Sequence, residues 1–565
     1  MTMNYTRQVL TIFVVFLLLC TCNNKKPTAE VPDFDYGLSV YDFLTKNNVD
    51  SLIFEAYSNN DFRPFWIDNK GFTDAFNAFF SELSTAENHG LSLNKMKADS
   101  IAIFAERVRQ NADIELDSLA LFDYFTTVAY LNFCKTLCFG ALHPKRDMLT
   151  NYYFDTQQNT AEFTEKCLKN IGKDIAAFLQ SLPQQSEYYK LIQNERKYYV
   201  SLQDSVFEKI PILSEKQTLK IGDKNAIIPL IVKRLLLVNE ISAANADSAL
   251  ITQKFDTLLL KSINNFQKKR GLLVDNEIGN NTIKALNVPF KDLIKTIDVN
   301  LERMRWKLDI AQAEKHIHVN VANQTLAAFC ADTVALRMKV VAGEPPDHLT
   351  PFLFSKIYDI TLNPLWRVPQ RIIVEEIALK AAASKNYISR NKMKVYRGGV
   401  LVNSDSIDWT KITGKSSPYS VVQDAGNGNS LGRIKFNFAN PFAVYLHDTN
   451  AKGAFSRHNR SISHGCVRVE QPYELAYFCL PPMSTEKMNL LKDKILFSTD
   501  RQPQSDAGKA LAKKDSNALK INNVSVNPKI PVVLEYYTCF VDENKNVVFC
   551  NDIYGIDDEL YAKLR

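Results

Sequence analysis

Two neighbouring stretches decide how the second half of this chain is read. One is Pro441-Phe442-Ala443-Val444-Tyr445-Leu446-His447-Asp448; the other is Ser463-His464-Gly465-Cys466-Val467-Arg468. Pro441 and Phe442 start a strand whose alternation of period two puts Tyr445 and His447 on one face. The second stretch is a compact turn around a cysteine. A thiol attacks well only as the thiolate, so a nucleophilic cysteine needs a base or a cationic setting. His447 and His464 are both at hand. Gly465 lets the backbone approach closely beside Cys466. Arg468, two residues past the cysteine, shares its face in extended chain and suits a carboxylate or phosphate-like anion. Taken singly, a cysteine or a strand histidine is ordinary packing; the joint pattern is what points to chemistry.

Working outward, the hydrophobic period is two from about residue 313 onward. Ile317, Val319 and Val321 alternate with His318 and Asn320, the signature of a half-buried strand. Further strands are expected at Leu336–Val341, Lys356–Leu362, Arg433–Phe438 and Phe442–His447, within a domain spanning 313–500. Residues 366–430 form a long, partly helical insert, and long inserts beside a site are often lids. Residues 501–522 read as a polar linker and 523–565 as a strand-and-turn extension. In that extension, pairing Asp542 with Val547 sets Cys539 opposite Cys550, close enough for a disulfide. Two reduced, packed cysteines are the alternative.

Toward the N-terminus the pattern turns helical. Residues 41–250 read as a helical scaffold, with a core stretch at Phe122–Phe139 and an aromatic-anchored turn at Arg63-Pro64-Phe65-Trp66. Phe255, Leu259, Ile263 and Phe266 recur at helical spacing and Gly271 stops that helix, marking a small module at 251–290. A connecting helix over 291–312 carries Leu293, Ile297, Leu301 and Met304 on one face. The fold class is thus multidomain α+β, as 565 residues require more than one core. A net charge of +6 over this length excludes a dedicated nucleic-acid binder. Residues 1–22 hold Arg7 and the apolar run Leu10–Leu19, too short for a comfortable membrane span but suited to a secretory signal. A polar tether with Pro27 and Pro32 follows over 23–40. The remaining cysteines are scattered, without Cys-x-x-Cys, and no histidine pair has zinc spacing beside a third ligand, so neither a metal nor a cofactor is expected.

Three resemblances sharpen these readings. Leu19-Cys20-Thr21-Cys22 followed by Asn23-Asn24-Lys25-Lys26 resembles a bacterial lipoprotein signal with Cys22 as the lipidated residue, which implies a membrane-anchored protein of the periplasm or cell envelope. Phe266, Gln267, Gly271, Leu272, Asp275, Gly279, Thr282 and Leu286 resemble the peptidoglycan-binding three-helix module, with Asn276 where that family has Gly; Asn tolerates positive φ. Finally, His447 is separated by 16 residues from His464 in Ser463-His464-Gly465-Cys466-Val467-Arg468, which resembles the L,D-transpeptidase catalytic family (YkuD-type). Asn363-Pro364-Leu365-Trp366-Arg367-Val368-Pro369 and Gly432-Arg433-Ile434-Lys435-Phe436 resemble its large periplasmic, YcbB-like branch. This last resemblance implies a β-sandwich-like catalytic domain with a lid-like insert. It also implies a two-step acyl transfer between peptidoglycan stem peptides, forming 3→3 cross-links with release of D-alanine. The implied roles are Cys466 as nucleophile, His447 as base oriented by the Asp448 carbonyl, and Ser463, His464 and Gly465 in the nucleophile turn and oxyanion pocket. Tyr445, Trp366, Arg468 and Asp448 would line the substrate groove. An L,D-carboxypeptidase, a wall-protein ligase on the same site, and a non-catalytic wall anchor remain as alternatives.

Overall fold

Apolar residues at helical spacing build the first half of the chain. The computed structural model describes residues 36–68, 71–110, 115–154, 156, 161–182, 186–306, 313–496, 502–514 and 523–565. The expected signal, Cys22 and most of the tether lie outside the described residues. The chain divides into two compact units, one made of Met1–Ser84, Met96–Phe133 and Thr160–Gln180, the other of Thr85–Lys95, Cys134–Asn159 and Ser181–Arg565.

In the first unit, helices Tyr36–Lys46, Ser51–Ser58, Asp74–Ser84 and Ala98–Arg109 gather around an aromatic core. Trp66 and Phe79 are fully buried, with ring centroids 5.4 Å apart. The Arg63–Trp66 turn is held by a buried carboxylate as well as by aromatic packing. Asp123 accepts the backbone N–H groups of Phe65 (3.0 Å) and Trp66 (2.8 Å) and the Tyr57 hydroxyl (2.6 Å).

The helical part of the second unit differs from expectation at two places. The core around Phe255, Leu259, Ile263 and Phe266 also takes in Ile210, Leu219, Ile231 and Leu235, so packing there begins well before residue 251. The motif residues bond to one another: the Gln267 amide donates to Asp275 Oδ1 (2.9 Å) and Thr282 Oγ1 (3.0 Å), and Asn276 sits at φ +62°, the conformation its side chain tolerates. The helix Phe290–Arg305 is more than a one-faced connector. Its polar face is buried too, including Asp298, Asn300, Glu302, Arg303 and Arg305. These side chains find partners on distant segments. Arg303 donates to Tyr152 (2.8 Å) and Asp557 (2.6 Å), Asn300 to Thr538 (2.7 Å), and Arg196 pairs with Asp298.

From Lys315 onward the alternation produces a mixed sheet. Its order is Ser461–Ser463, Thr333–Gly343, Val467–Val469, Leu446–His447, Ile434–Phe438, Leu353–Leu362, Asn523–Glu535, Lys315–Asn320, Thr325–Cys330. Thr325–Cys330 also pairs with Thr333–Gly343, so the ladder closes on itself instead of forming two separate sheets, and closure removes exposed edges. The 523–535 segment, read from sequence as part of an extension, is an interior strand between Leu353–Leu362 and Lys315–Asn320. Residues 506–514 of the expected linker are helical. The strand expected at Phe442–His447 is confined to Leu446–His447, because the Asn440 side chain bonds the N–H groups of Phe442 and Val444 and Ala443 turns to φ +53°. In the tail, Val541 pairs with Val547 and Cys539 with Phe549, one residue off the expected register. A one-residue slip sends side chains to opposite faces. Cys539 and Cys550 are accordingly both free thiols, in different packing environments.

The Asp123 network generates a pH test. Burial pushes its carboxyl up to about 6 despite the hydrogen bonds it accepts. A folded pKa above the unfolded value of 3.8 contributes stability that is complete below that value and is lost as pH rises through 6. The slope is about 1.4 kcal/mol per pH unit inside that window. Pulse proteolysis in urea, reading cleavage in the first unit, should give wild type a higher midpoint at pH 5 than at pH 7, with the difference reduced in Asp123→Asn. An identical pH dependence in the two proteins would contradict the buried carboxylate.

Candidate active site

The site is built on two short parallel strands. Leu446 pairs with Val467 and His447 with Arg468, while the Val467 N–H donates to the Tyr445 carbonyl at 3.1 Å. Leu446 and Val467 point into the core and are fully buried. By alternation, Tyr445, His447, Cys466 and Arg468 share the opposite face. On the other side of Leu446–His447, Lys435 lies opposite His447, and its ammonium sits 4.0 Å from the Tyr445 ring centroid. All four strand-face residues line one cavity of about 410 Å³, together with Trp366, His348, His464, Glu376, Tyr153 and Phe442.

The half-buried Cys466 sulfur is held chiefly by Tyr445. The Tyr445 hydroxyl and backbone N–H stand close enough to favour its thiolate, and the sulfur itself donates a long hydrogen bond, 3.9 Å, to the Ala443 carbonyl. Burial pushes the thiol's pKa up. The two Tyr445 donors and the Lys435 and Arg468 charges pull the other way without overcoming it. The resting group is therefore a thiol, surrounded by donors that would stabilise the thiolate once formed.

His447 is 4% exposed. Its Nδ1–H donates to the Asp448 carbonyl, as the sequence reading expected, and the Leu431 backbone also favours the protonated ring. Burial, and next the Arg468 charge, lower its pKa to about 3. The ring is neutral at physiological pH. Protonating it as pH falls from 6.5 toward 3 works against the fold. His447 faces the cavity beside the sulfur without a hydrogen bond to it, and catalytic hydrogen bonds commonly tighten only with substrate in place.

The turn before Cys466 is braced from within and from outside. Ser463 is buried; its hydroxyl donates to the Cys466 carbonyl at 2.6 Å and accepts the Gly465 N–H at 3.2 Å. Ser463 thus shapes the turn. Gly465 is required by its φ of +105° rather than by crowding, since an added Cβ would meet Leu349 O only at 3.5 Å. From outside, the Thr350 hydroxyl donates to the Gly465 carbonyl (2.9 Å), and Thr350 N donates to the Tyr554 hydroxyl (3.1 Å). Thr350 and Tyr554 were not among the residues singled out from sequence, and Lys435, quoted there within a family motif, was given no role. Thr350 and Tyr554 come from distant segments with no local motif, so spacing offers no signal for them.

Among the expected groove residues, Arg468 and Trp366 do face the cavity. Asp448 does not. Its carboxylate is buried and accepts the N–H groups of Arg433 and Thr449, both at 2.7 Å, with Lys452 as ion partner. It packs over Gly432, where a Cβ would meet it at 2.3 Å. Asp448 therefore positions the loop that carries His447 and has no oxygen to spare for substrate. His464 turns away from the sulfur's immediate contacts: its Nε2 lies 3.7 Å from Glu376 and its ring centroid 4.4 Å from that of His348.

Residues 314–489 match the model of the L,D-transpeptidase catalytic domain, and residues 51–195 that of a scaffold domain. A curated protein of Haemophilus influenzae named "Putative L,D-transpeptidase" is 32% identical over 270 residues, covering 48% of this chain and 49% of the relative. The chain thus spans about half the length of that relative. Two solved L,D-transpeptidase structures overlay only loosely. One, from Stackebrandtia nassauensis, is 15% identical, covering 46% of this chain and 88% of its own at a TM-score of 0.20. The other, from Xylanimonas cellulosilytica, is 13% identical, covering 57% and 100% at 0.17. Overlays at these scores carry no weight for the fold.

The Tyr445–sulfur contact is testable. Tyr445→Phe removes one donor to the thiolate and should raise the alkylation midpoint of Cys466 by about one pH unit, the equivalent of about 1.4 kcal/mol. Peptide-resolved mass spectrometry of iodoacetamide labelling across pH reads this directly. An unmoved midpoint would remove the hydroxyl from the sulfur.

Proposed function

We propose that this chain, which carries an L,D-transpeptidase catalytic domain over residues 314–489, is a cysteine acyltransferase that joins peptidoglycan stem peptides through 3→3 links. The observation that carries the reading is the shared face of Cys466, Tyr445, His447 and Arg468 on paired parallel strands. In the proposed first step the Cys466 sulfur attacks the carbonyl after the L-centre of the third stem residue. The thiol proton passes to His447 Nε2 and then to the departing D-alanine amine. In the second step the side-chain amine of another stem attacks the thioester, His447 takes its proton, and the sulfur leaves and is reprotonated.

The electrostatics support a substrate-assisted start. The Arg468 charge is the strongest charge effect lowering the basicity of His447. A substrate carboxylate paired with Arg468 cancels that effect, so recognition strengthens the base at the moment it is needed. N–H groups of the 464–466 turn are the nearest candidates for an oxyanion donor; that of Gly465 is already given to Ser463. The 366–430 insert, whose Trp366, Ile372 and Glu376 face the cavity, is proposed to keep water from the acyl-enzyme. The lipid anchor at Cys22, the envelope location and wall binding by residues 251–290 belong to the same proposal and fit a stem-peptide substrate. Water as acceptor would make the same site an L,D-carboxypeptidase.

Purified sacculi incubated with the full chain should yield new 3→3 dimers by mass spectrometry, and none with Cys466→Ala. Trimmed monomers without dimers would favour the carboxypeptidase reading, and unchanged fragments with a folded protein would reject both. A second expectation separates the histidines. His447→Ala should slow acylation of Cys466 by a reactive β-lactam about 10²–10⁴-fold at neutral pH, with partial recovery toward pH ~9 as the thiol ionises unaided. His464→Ala should lose activity without that recovery. The reverse pattern would exchange their roles.

A further inference from the structure

The His464 ring stands in a side-chain cluster to which the proposed acyl-transfer steps assign no proton transfer. His348, from the loop after Thr333–Gly343, and His464, from the nucleophile turn, bring their rings together at a centroid distance of 4.4 Å. Opposite them is the insert helix, which runs through Gln370–Ile372, a π-helical turn at Ile373–Ile377, and Ala378–Ala383. Consecutive residues of a regular helix diverge by about 100°. Here both Glu375 and Glu376 reach the histidines: His348 Nε2 to Glu375 Oε2 is 3.6 Å, and His464 Nε2 to Glu376 Oε2 is 3.7 Å. π-turns of this kind occur frequently at functional sites.

Neither imidazole–carboxylate distance is a hydrogen bond, since both exceed the usual range. Both are close to the roughly 3.3 Å that separates two ligands of a tetrahedral zinc ion with bonds near 2.0–2.1 Å. The donor atoms of His348, His464 and Glu375 all lie within 4.8 Å of one another. The carboxylate is also oriented from behind. Arg371 Nε donates to the other Glu375 oxygen at 2.6 Å, while the same guanidinium holds the Asp347 carbonyl at 2.9 Å. A metal-binding carboxylate is typically supported by such an outer partner.

We propose that His348, His464 and Glu375 form a divalent transition-metal site of the zinc class, with Glu376 or water as fourth ligand, that ties the insert helix to the nucleophile turn. Two imidazoles and a carboxylate select a borderline ion over magnesium or calcium. One ligand comes from the insert and two from the sheet domain, so an ion there sets how the insert sits over the cavity. The proposal is independent of the acyl-transfer reading.

The test uses the full-length Cys466→Ser chain, which removes the nearby thiol as a competing ligand, and zinc chloride in calorimetry. One zinc per chain is expected, with affinity falling at least about 10-fold in His348→Ala and in Glu375→Gln on that background. Cobalt added to the wild-type chain should give the visible spectrum of a tetrahedral nitrogen–oxygen site without a sulfur-to-cobalt band. No stoichiometric zinc binding, an affinity unchanged in both variants, or a sulfur-to-cobalt band would each overturn the assignment.

Discussion

The pairing of Leu446–His447 with Val467–Val469 is the constraint on which the site depends. Parallel neighbours cannot be joined by a tight turn and need a crossover of a dozen residues or more. The spacing between His447 and the cysteine turn is that crossover, made of residues 448–466. Once the strands pair, Leu446 and Val467 enter the core, and the residues on either side of them have only the cavity to face. The flanking strand Ile434–Phe438 adds Lys435 to that face, and Thr333–Gly343 supports the pair from the other side through Arg468–Val341. The motif is therefore first a statement about strand pairing and second about chemistry.

The second unit holds this sheet against its helices through buried polar contacts as well as apolar ones. The helix Phe290–Arg305 places charges where water cannot reach and satisfies them with Arg196, Tyr152, Thr538 and Asp557. Removing one member of such a network leaves another charge unpaired, which costs more than the pair contributes. Because Thr538 and Asp557 follow the interior strand Asn523–Glu535, the C-terminal segment is bound at both the sheet and the helix. Tyr554, in the same segment, hydrogen-bonds Thr350 and thereby supports the turn at Gly465. Distant parts of the chain thus converge on the backbone next to Cys466.

The resting site is electrically quiet despite its cations. Burial keeps the thiol protonated and His447 neutral, while Lys435 and Arg468 stand by with charges that favour a thiolate. A thiol held in this way is protected from adventitious oxidation, which follows thiolate character.

Local pattern alone determined a good deal. The change from a helical to a two-residue period located the β-rich domain; alternation placed Tyr445 with His447 and Cys466 with Arg468; and Asn276 adopts the positive φ its side chain permits. These properties depend on residues within a few positions of each other. The tertiary structure decided which neighbours those residues meet. It gave the sulfur to Tyr445, turned the Asp448 carboxylate away from the cavity, moved 523–535 into the middle of the sheet, and slipped the Cys539 register by one residue. It also brought His348 and Glu375 to His464, although the spacing of these three in the sequence resembles no metal motif. Periodicity encodes which way a side chain points. Partner, register and burial are set by pairing between remote strands and by the burial free energy of the whole core, and a short stretch of sequence carries no record of either.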